Sequence, residues 1–271
     1  MILIRQLIGI IALLCVGVTF VALEILLWVT VTPVSLLAPG RLEPLLRFHV
    51  RLGRDSTAGL LRLFGARLDV GLRVPTKGGI LIVSNHQSLV DIVLAFLCVP
   101  DGYPQMVAHY RYLRGVPLVS HMLRLYGHIP VYPGRKGRAE IERLGELARA
   151  AQHPIVIYPE GHRTPDGEIQ TWKRAGLHAF LSARPWTVHV LVVDGMWKSA
   201  RLPDFVRTVS RMRCRAEAVG PFEYDGTGRD NHDEFIDRLE RTMCDKLAQM
   251  RRDEPASQHR DREPAEPVMS S

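Results

Sequence analysis

Between Leu7 and Leu23 the chain reads LIGIIALLCVGVTFVAL, without a charged side chain. After Glu24 the apolar run resumes as ILLWVTVTPVSLLAP. About 20 mainly apolar residues cross the hydrocarbon core of a bilayer. Residues 1–35 are therefore expected to form a transmembrane or membrane-anchoring helix. The run is too long for the h-region of a signal peptide and lacks a small-x-small cleavage site beside a polar flank. Glu24 must be accommodated, because a carboxylate at mid-bilayer costs a few kcal/mol. Either the span covers about residues 6–23 and leaves Glu24 at the interface, or the segment lies in one leaflet with a bend at Pro33.

The basic residues give this anchor a direction. Arg5 precedes the run, whereas Arg41, Arg47, Arg51, Arg54 and Arg62 follow it. The positive-inside rule then puts the rest of the chain on the cytoplasmic side of the cell inner membrane. In RLEPLLRFHVRLGRDSTAGLLRLFGARL, residues 41–68, Leu, Phe and Val recur at helical spacing with Arg between them. Residues 36–66 are expected to be basic amphipathic helices, at the membrane interface or packed on the main domain.

The 271 residues suit one large α/β domain plus an anchor and a tail, and 46% hydrophobic content supports a substantial core. From about residue 67 the rhythm alternates. ILIV stops at a polar turn, SLVDIVLAFLCV reads as a helix and IPVY as a strand. RAEIERLGELARAA is an amphipathic helix, PIVIYPEG repeats the strand-then-turn pattern, and TVHVLVVDG is another buried strand. This order predicts an α/β fold over 67–250: a mostly parallel sheet flanked by helices, with chemistry at the carboxyl ends of the strands. Residues 251–271 are polar and Pro-rich and are expected to be a disordered tail.

A net charge of +7 points to an anionic partner such as a membrane surface or a phosphorylated substrate. The basic residues are spread out and no aromatic platform motif accompanies them, so no nucleic acid is expected. Cys15, Cys98, Cys214 and Cys244 are far apart, which argues against a disulfide framework or a cysteine zinc site. No H-E-x-x-H pattern occurs, and His86, Asp91, His128, Glu160 and His162 fit no zinc spacing, so no metal is expected.

Two polar turns carry the chemistry. Ser84-Asn85-His86-Gln87-Ser88-Leu89-Val90-Asp91 follows a buried strand and opens a helix. Taking the proton from a hydroxyl needs a base near neutral pH, which a histidine supplies, and a carboxylate to fix the imidazole tautomer. His86 and Asp91 can meet through a compact turn, although that spacing alone also suits a helix-capping or core histidine. Tyr158-Pro159-Glu160-Gly161-His162-Arg163-Thr164 follows the strand IVIY. It offers a carboxylate, a glycine that admits a ligand to the backbone, and a guanidinium that grips phosphate bidentately. A surface turn with an Arg–Glu pair would have the same composition.

Together the two turns resemble the glycerolipid acyltransferase family typified by bacterial 1-acylglycerol-3-phosphate acyltransferase. NHQSLVD matches its N-H-x-S-x-x-D block and YPEGHRT its F-P-E-G-T-R-S block, about seventy residues apart. The resemblance covers roughly residues 65–200. It implies acyl transfer from acyl-CoA or acyl carrier protein to the hydroxyl of 1-acylglycerol-3-phosphate, with no further cofactor and with membrane lipids as partners. It makes His86 the base and Asp91 its orienter, and assigns Glu160, Gly161 and Arg163 to the acceptor phosphate. Asn85, Arg135 and Lys173 are expected to line the same substrate site. Gly127-His128-Ile129-Pro130-Val131-Tyr132 resembles a second block of the family that ends in an Arg, but Pro133 stands in that place, so Arg135 or Lys136 is the expected substitute. His162 replaces a Thr, and Val190 to Val193 lack the Pro of the fourth block. These departures leave other lysolipid or glycolipid acceptors, or a non-catalytic lipid-binding protein, as alternatives. The sequence sets no oligomeric state.

Overall fold

The apolar run ILIVS folds as the middle of a sheet, and burial explains why it has no polar alternation. In a computed structural model of the chain, residues 2–71, 73–132, 137–226 and 230–253 are described. Seven strands form one sheet: β1 Arg67–Val70, β2 Ile80–Ser84, β3 Gln105–His109, β4 Ile129–Val131, β5 Ile155–Ile157, β6 Trp186–Asp194 and β7 Arg213–Tyr224. Their order is β1-β7-β6-β2-β5-β3-β4. β6, β2, β5, β3 and β4 run parallel, β7 is antiparallel to β6, and β1 follows the direction of β7. The expected α/β class with a mostly parallel, helix-flanked sheet is what the structure has.

Every residue of β2 is buried. Successive side chains of a strand point to opposite faces, so Ile80 and Ile82 enter one core and Leu81 and Val83 the other. The first core is roofed by α1 Ile2–Leu37, α2 Leu42–Leu63 and α3 Asp91–Cys98, which contribute Leu27, Val50 and Leu94. On the opposite face lie α5 Arg138–Ala150, α6 Arg174–Leu181 and α8 Asp230–Arg252, through Leu144, Leu177 and Leu239. Burial of such side chains stabilises by about 1.5–3 kcal/mol each. A strand covered on both faces must be apolar throughout, which is the ILIV signature. Two short helices, α4 Val119–Leu125 and α7 Leu202–Thr208, complete the first face.

α1 is one helix that continues through Pro33, and at 1.5 Å per residue it is about 54 Å long, well beyond a 30 Å hydrocarbon core. One of its faces is packed on the domain: Ala12, Leu23, Leu27 and Val31 are buried. At Gly9 the backbone of α7 comes so near that a Cβ would sit 1.8 Å from the Val206 carbonyl oxygen. Glu24 faces the domain: it accepts hydrogen bonds from the Leu118 N–H (3.0 Å) and the Trp28 indole (2.9 Å) and lies 3.3 Å from His121 Nδ1. A carboxylate thus sits in the apolar run because protein donors surround it. The opposite stripe, including Leu14, Val18, Ile25 and Val29, is exposed.

α2 has the packing on the main domain that was one reading of residues 36–66. It packs on the domain through Leu46, Val50, Ala58 and Leu61, and His49 Nε2 meets Thr30 Oγ1 of α1 at 2.8 Å. Phe48 and Leu63 of α2 remain exposed. At the other end, α8 runs to Arg252, so Arg251 and Arg252 belong to the folded unit rather than to the tail. Residues 254–271 lie outside the described residues, as do Arg135 and Lys136.

Candidate active site

β2 and β5 are adjacent and parallel, so the polar turns that follow them emerge side by side at the carboxyl edge of the sheet. The sequence separates these turns widely; strand pairing brings them together. His86 follows β2, and Asp91 is the first residue of α3. A single oxygen, Asp91 Oδ2, accepts from His86 Nδ1 (2.8 Å), Gln87 N (2.6 Å) and Ser88 N (2.8 Å). The turn is therefore wound around one carboxylate, whose side chain is fully buried, while the imidazole is 18% exposed. An ionised carboxylate can only accept, so the network assigns the ring proton to Nδ1. Nε2 is then the ring nitrogen left with a lone pair to take a proton.

Tyr158, at the end of β5, stacks on the imidazole with ring centroids 4.4 Å apart and planes 27° apart. Its hydroxyl is buried, and burial followed by the nearby Asp91 charge pushes its pKa well up. Tyr158 is thus a neutral wall that fixes the ring plane. Sequence reading passed over this residue; its position directly after the strand was the available signal.

Glu160 is fully buried. Its Oε1 accepts from His86 N (2.8 Å) and its Oε2 from Gln170 N (2.9 Å). Thr164 N donates to His86 O at 2.8 Å, so the second turn grips the His86 backbone on both sides. Burial raises the Glu160 pKa, and the two amide hydrogen bonds oppose that shift. Both oxygens thus hold backbone, where an acceptor-facing position was expected.

Asn85 departs from its expected place in the same way. It is 2% exposed. Its Nδ2 donates to Val193 O and its Oδ1 accepts from Val193 N, both at 2.8 Å. This side chain completes the β2–β6 pairing where β2 leaves the sheet.

The remaining expected residues lie at the surface of the second turn. Gly161 has φ +69°, a left-handed conformation that favours glycine. A Cβ there would lie 2.7 Å from Lys173 Nζ, so the ammonium lies over the bare backbone of the turn. Lys173 N is itself anchored to Pro159 O at 2.8 Å. Arg163 donates through Nη1 to Ala200 O. His162 Nδ1 meets Glu160 O at 2.8 Å, which turns Nε2 away from the loop. A backbone without a Cβ, flanked by a lysine and an arginine, suits an anionic group. Arg135 lies outside the described residues. His128 is separate: its Nδ1 accepts from Met106 N (2.6 Å), and burial pushes its pKa down to about 3.

Residues 70–193 match the profile of the family described as Acyltransferase. The matched stretch runs from the last residue of β1 almost to the end of β6 and includes the His86 turn. A curated relative, the 1-acyl-sn-glycerol-3-phosphate acyltransferase of Cocos nucifera, is 30% identical over 105 residues, 38% of this chain and 33% of that protein. The chain thus aligns with about a third of the length of that relative. The crystal structure of the 1-acyl-sn-glycerophosphate (LPA) acyltransferase PlsC from Thermotoga maritima superposes with a TM-score of 0.54 at 16% identity. That match covers 87% of this chain and 96% of the other, and it shows a shared fold.

Proposed function

We propose that this protein transfers a fatty acyl chain from acyl-CoA or acyl carrier protein to the free hydroxyl of 1-acylglycerol-3-phosphate, yielding phosphatidic acid. The observation that carries the reading is the His86–Asp91 pair. A buried carboxylate fixes one ring nitrogen at 2.8 Å and leaves the other to act as base. In the proposed reaction His86 Nε2 removes the acceptor hydroxyl proton, and the oxygen attacks the thioester carbonyl. The C–S bond breaks, and the proton passes from His86 to the departing thiolate. Asp91 holds the imidazole and stabilises its cation. Lys173, Arg163 and the Gly161 backbone receive the acceptor phosphate, with Arg135 as a further cation. Glu160 contributes by holding the His86 N–H, and Asn85 by fixing the end of β2 to Val193 of β6.

The long apolar α1, with one face packed and the other bare, supports action at a membrane. The excess of arginines after the apolar run supports a site on the cytoplasmic side, and we place it at the cell inner membrane. The names of the similar proteins support lysophosphatidate as acceptor, while Pro133 and His162 are points at which this chain departs from the family's motif blocks.

The test measures thiol release from acyl-CoA and from acyl carrier protein in detergent, with and without 1-acylglycerol-3-phosphate, in wild type and His86→Ala. Acceptor-dependent release that falls by at least about 100-fold in the variant is expected. Release only with a different lysolipid would keep the chemistry and replace the acceptor. A fully active His86→Ala protein would overturn the reading in favour of a lipid-binding role.

A further inference from the structure

The last turn of α8 reaches the catalytic edge. Arg251 Nη1 donates to Glu168 Oε1 at 2.6 Å, its Nη2 to Gly167 O at 2.7 Å, and its Nε to Asp194 Oδ2 at 3.3 Å. Glu168 and Gly167 belong to the loop that grips His86, and Asp194 ends β6. Asp194 is 3% exposed, so its charge requires a buried partner. On its other side stands Gln87. The Gln87 Nε2 donates to Asp194 Oδ1 (3.3 Å) and Gly167 O (3.5 Å), and its Oε1 accepts from Met196 N (3.0 Å). The backbone N–H of this same Gln87 donates to Asp91 Oδ2 at 2.6 Å. The path from α8 to the orienting carboxylate therefore passes through Arg251, Asp194 and Gln87, with Gly167 as a second acceptor shared by Arg251 and Gln87.

We propose that Arg251 is a positioning residue for the acyl transfer: from the end of α8 it fixes Asp194 and the 167–168 loop, and through Gln87 it sets the turn that aims His86. This rests on the acyltransferase reading above. Three features favour a positioning role over simple docking of α8. The guanidinium joins two elements that both touch the catalytic turn. It neutralises a buried carboxylate one hydrogen bond from Gln87. A second arginine pairs with α8 without any such connection: Arg174 of α6, whose Nη2 lies 2.6 Å from Asp237 and 3.2 Å from Glu240. Arg174 holds the same helix but touches neither turn residue.

The experiment compares Arg251→Met, Arg251→Lys and Arg174→Met in the full chain, measuring kcat and the acceptor KM beside wild type and His86→Ala. Amide hydrogen exchange across residues 84–91 is followed in each protein. For Arg251→Met, kcat is expected to fall roughly tenfold, the effect of a slightly misaimed base, with KM changed by less than about threefold. The Gln87 and Ser88 amides should exchange faster. Arg251→Lys should recover part of kcat, and Arg174→Met should leave both readouts near wild type. If Arg251→Met unfolds, Arg251→Lys and Asp194→Asn carry the same comparison. Normal kcat and exchange in Arg251→Met, or an equal loss in Arg174→Met, overturns the positioning role while the wild-type and His86→Ala arms leave the acyltransfer reading standing. If wild type transfers no acyl group, the acyltransferase reading fails, and unchanged exchange in Arg251→Met would then remove the structural link as well.

Discussion

The turn after β2 and the turn after β5 are built alike and do different things. Each leaves a fully buried parallel strand, and each winds around one buried carboxylate that collects backbone amides. Asp91 gathers Gln87 N, Ser88 N and the His86 ring on a single oxygen. Glu160 divides itself between His86 N and Gln170 N, one per oxygen. The first carboxylate therefore touches the imidazole proposed as the base, and the second touches only backbone amides. The difference teaches that a buried acid beside an active site is not for that reason a ligand of the substrate. Its role follows from whether a titratable side chain or an amide stands at the end of its hydrogen bond.

The comparison can be broken most severely at Asp91. Asp91→Asn keeps the shape but loses the negative charge that fixes the Nδ1–H tautomer and stabilises the imidazolium. A fall in kcat of about 10³-fold or more is expected, the scale seen when a triad carboxylate is neutralised. Steady-state rates with the acceptor saturating would show it, and a loss under tenfold would mean that His86 does not act as a base.

Glu160→Gln should have a smaller effect, because Glu160 acts one step from the chemistry. The variant keeps one acceptor oxygen for two amides, so kcat is expected to drop by about tenfold, with stability lower by roughly 1–3 kcal/mol at the amide left unmatched. The pH dependence separates the two acids further. Burial raises the Glu160 pKa, so the folded state holds this proton more tightly than the unfolded chain does. Its stabilising share is present below the ordinary carboxylate range and is lost as pH rises through the raised folded value. Urea unfolding as a function of pH should show that decline in wild type and not in Glu160→Gln.

The mildest perturbation is Tyr158→Phe. It keeps the ring stacked on His86 and removes a buried hydroxyl that has no hydrogen-bond partner among the described residues. Activity within about threefold of wild type, with stability unchanged or higher by about 1 kcal/mol, is the expected outcome. A large loss of kcat would instead assign the hydroxyl a part in the chemistry.

How much of this was legible beforehand depended on the range of the interaction. The strand-turn-helix around His86 was legible because its contacts are local: Asp91 returns to His86 within one turn. The pairing of that turn with the Tyr158–Thr164 turn was suggested by two motifs in order, and β2–β5 adjacency supplies it physically. Asn85 and Glu160 carried no local sign that their polar atoms would go to Val193 and His86, residues far away in sequence, or that Glu160 would also hold Gln170, ten residues on. Glu24 looked like an intruder in a membrane span because its donors, Leu118 N and His121, lie some ninety residues further along.

The sequence by itself determined the α/β class, the anchor's apolarity, and the His86–Asp91 pair, since periodicity, hydropathy and short-range turns are all properties of neighbours along the chain. Only the tertiary structure decided which face of α1 is packed, what Glu160 and Asn85 hold, and that Arg251 reaches Asp194 and the 167–168 loop. Those outcomes rest on hydrogen bonds and contacts between segments that meet only when the sheet brings them together.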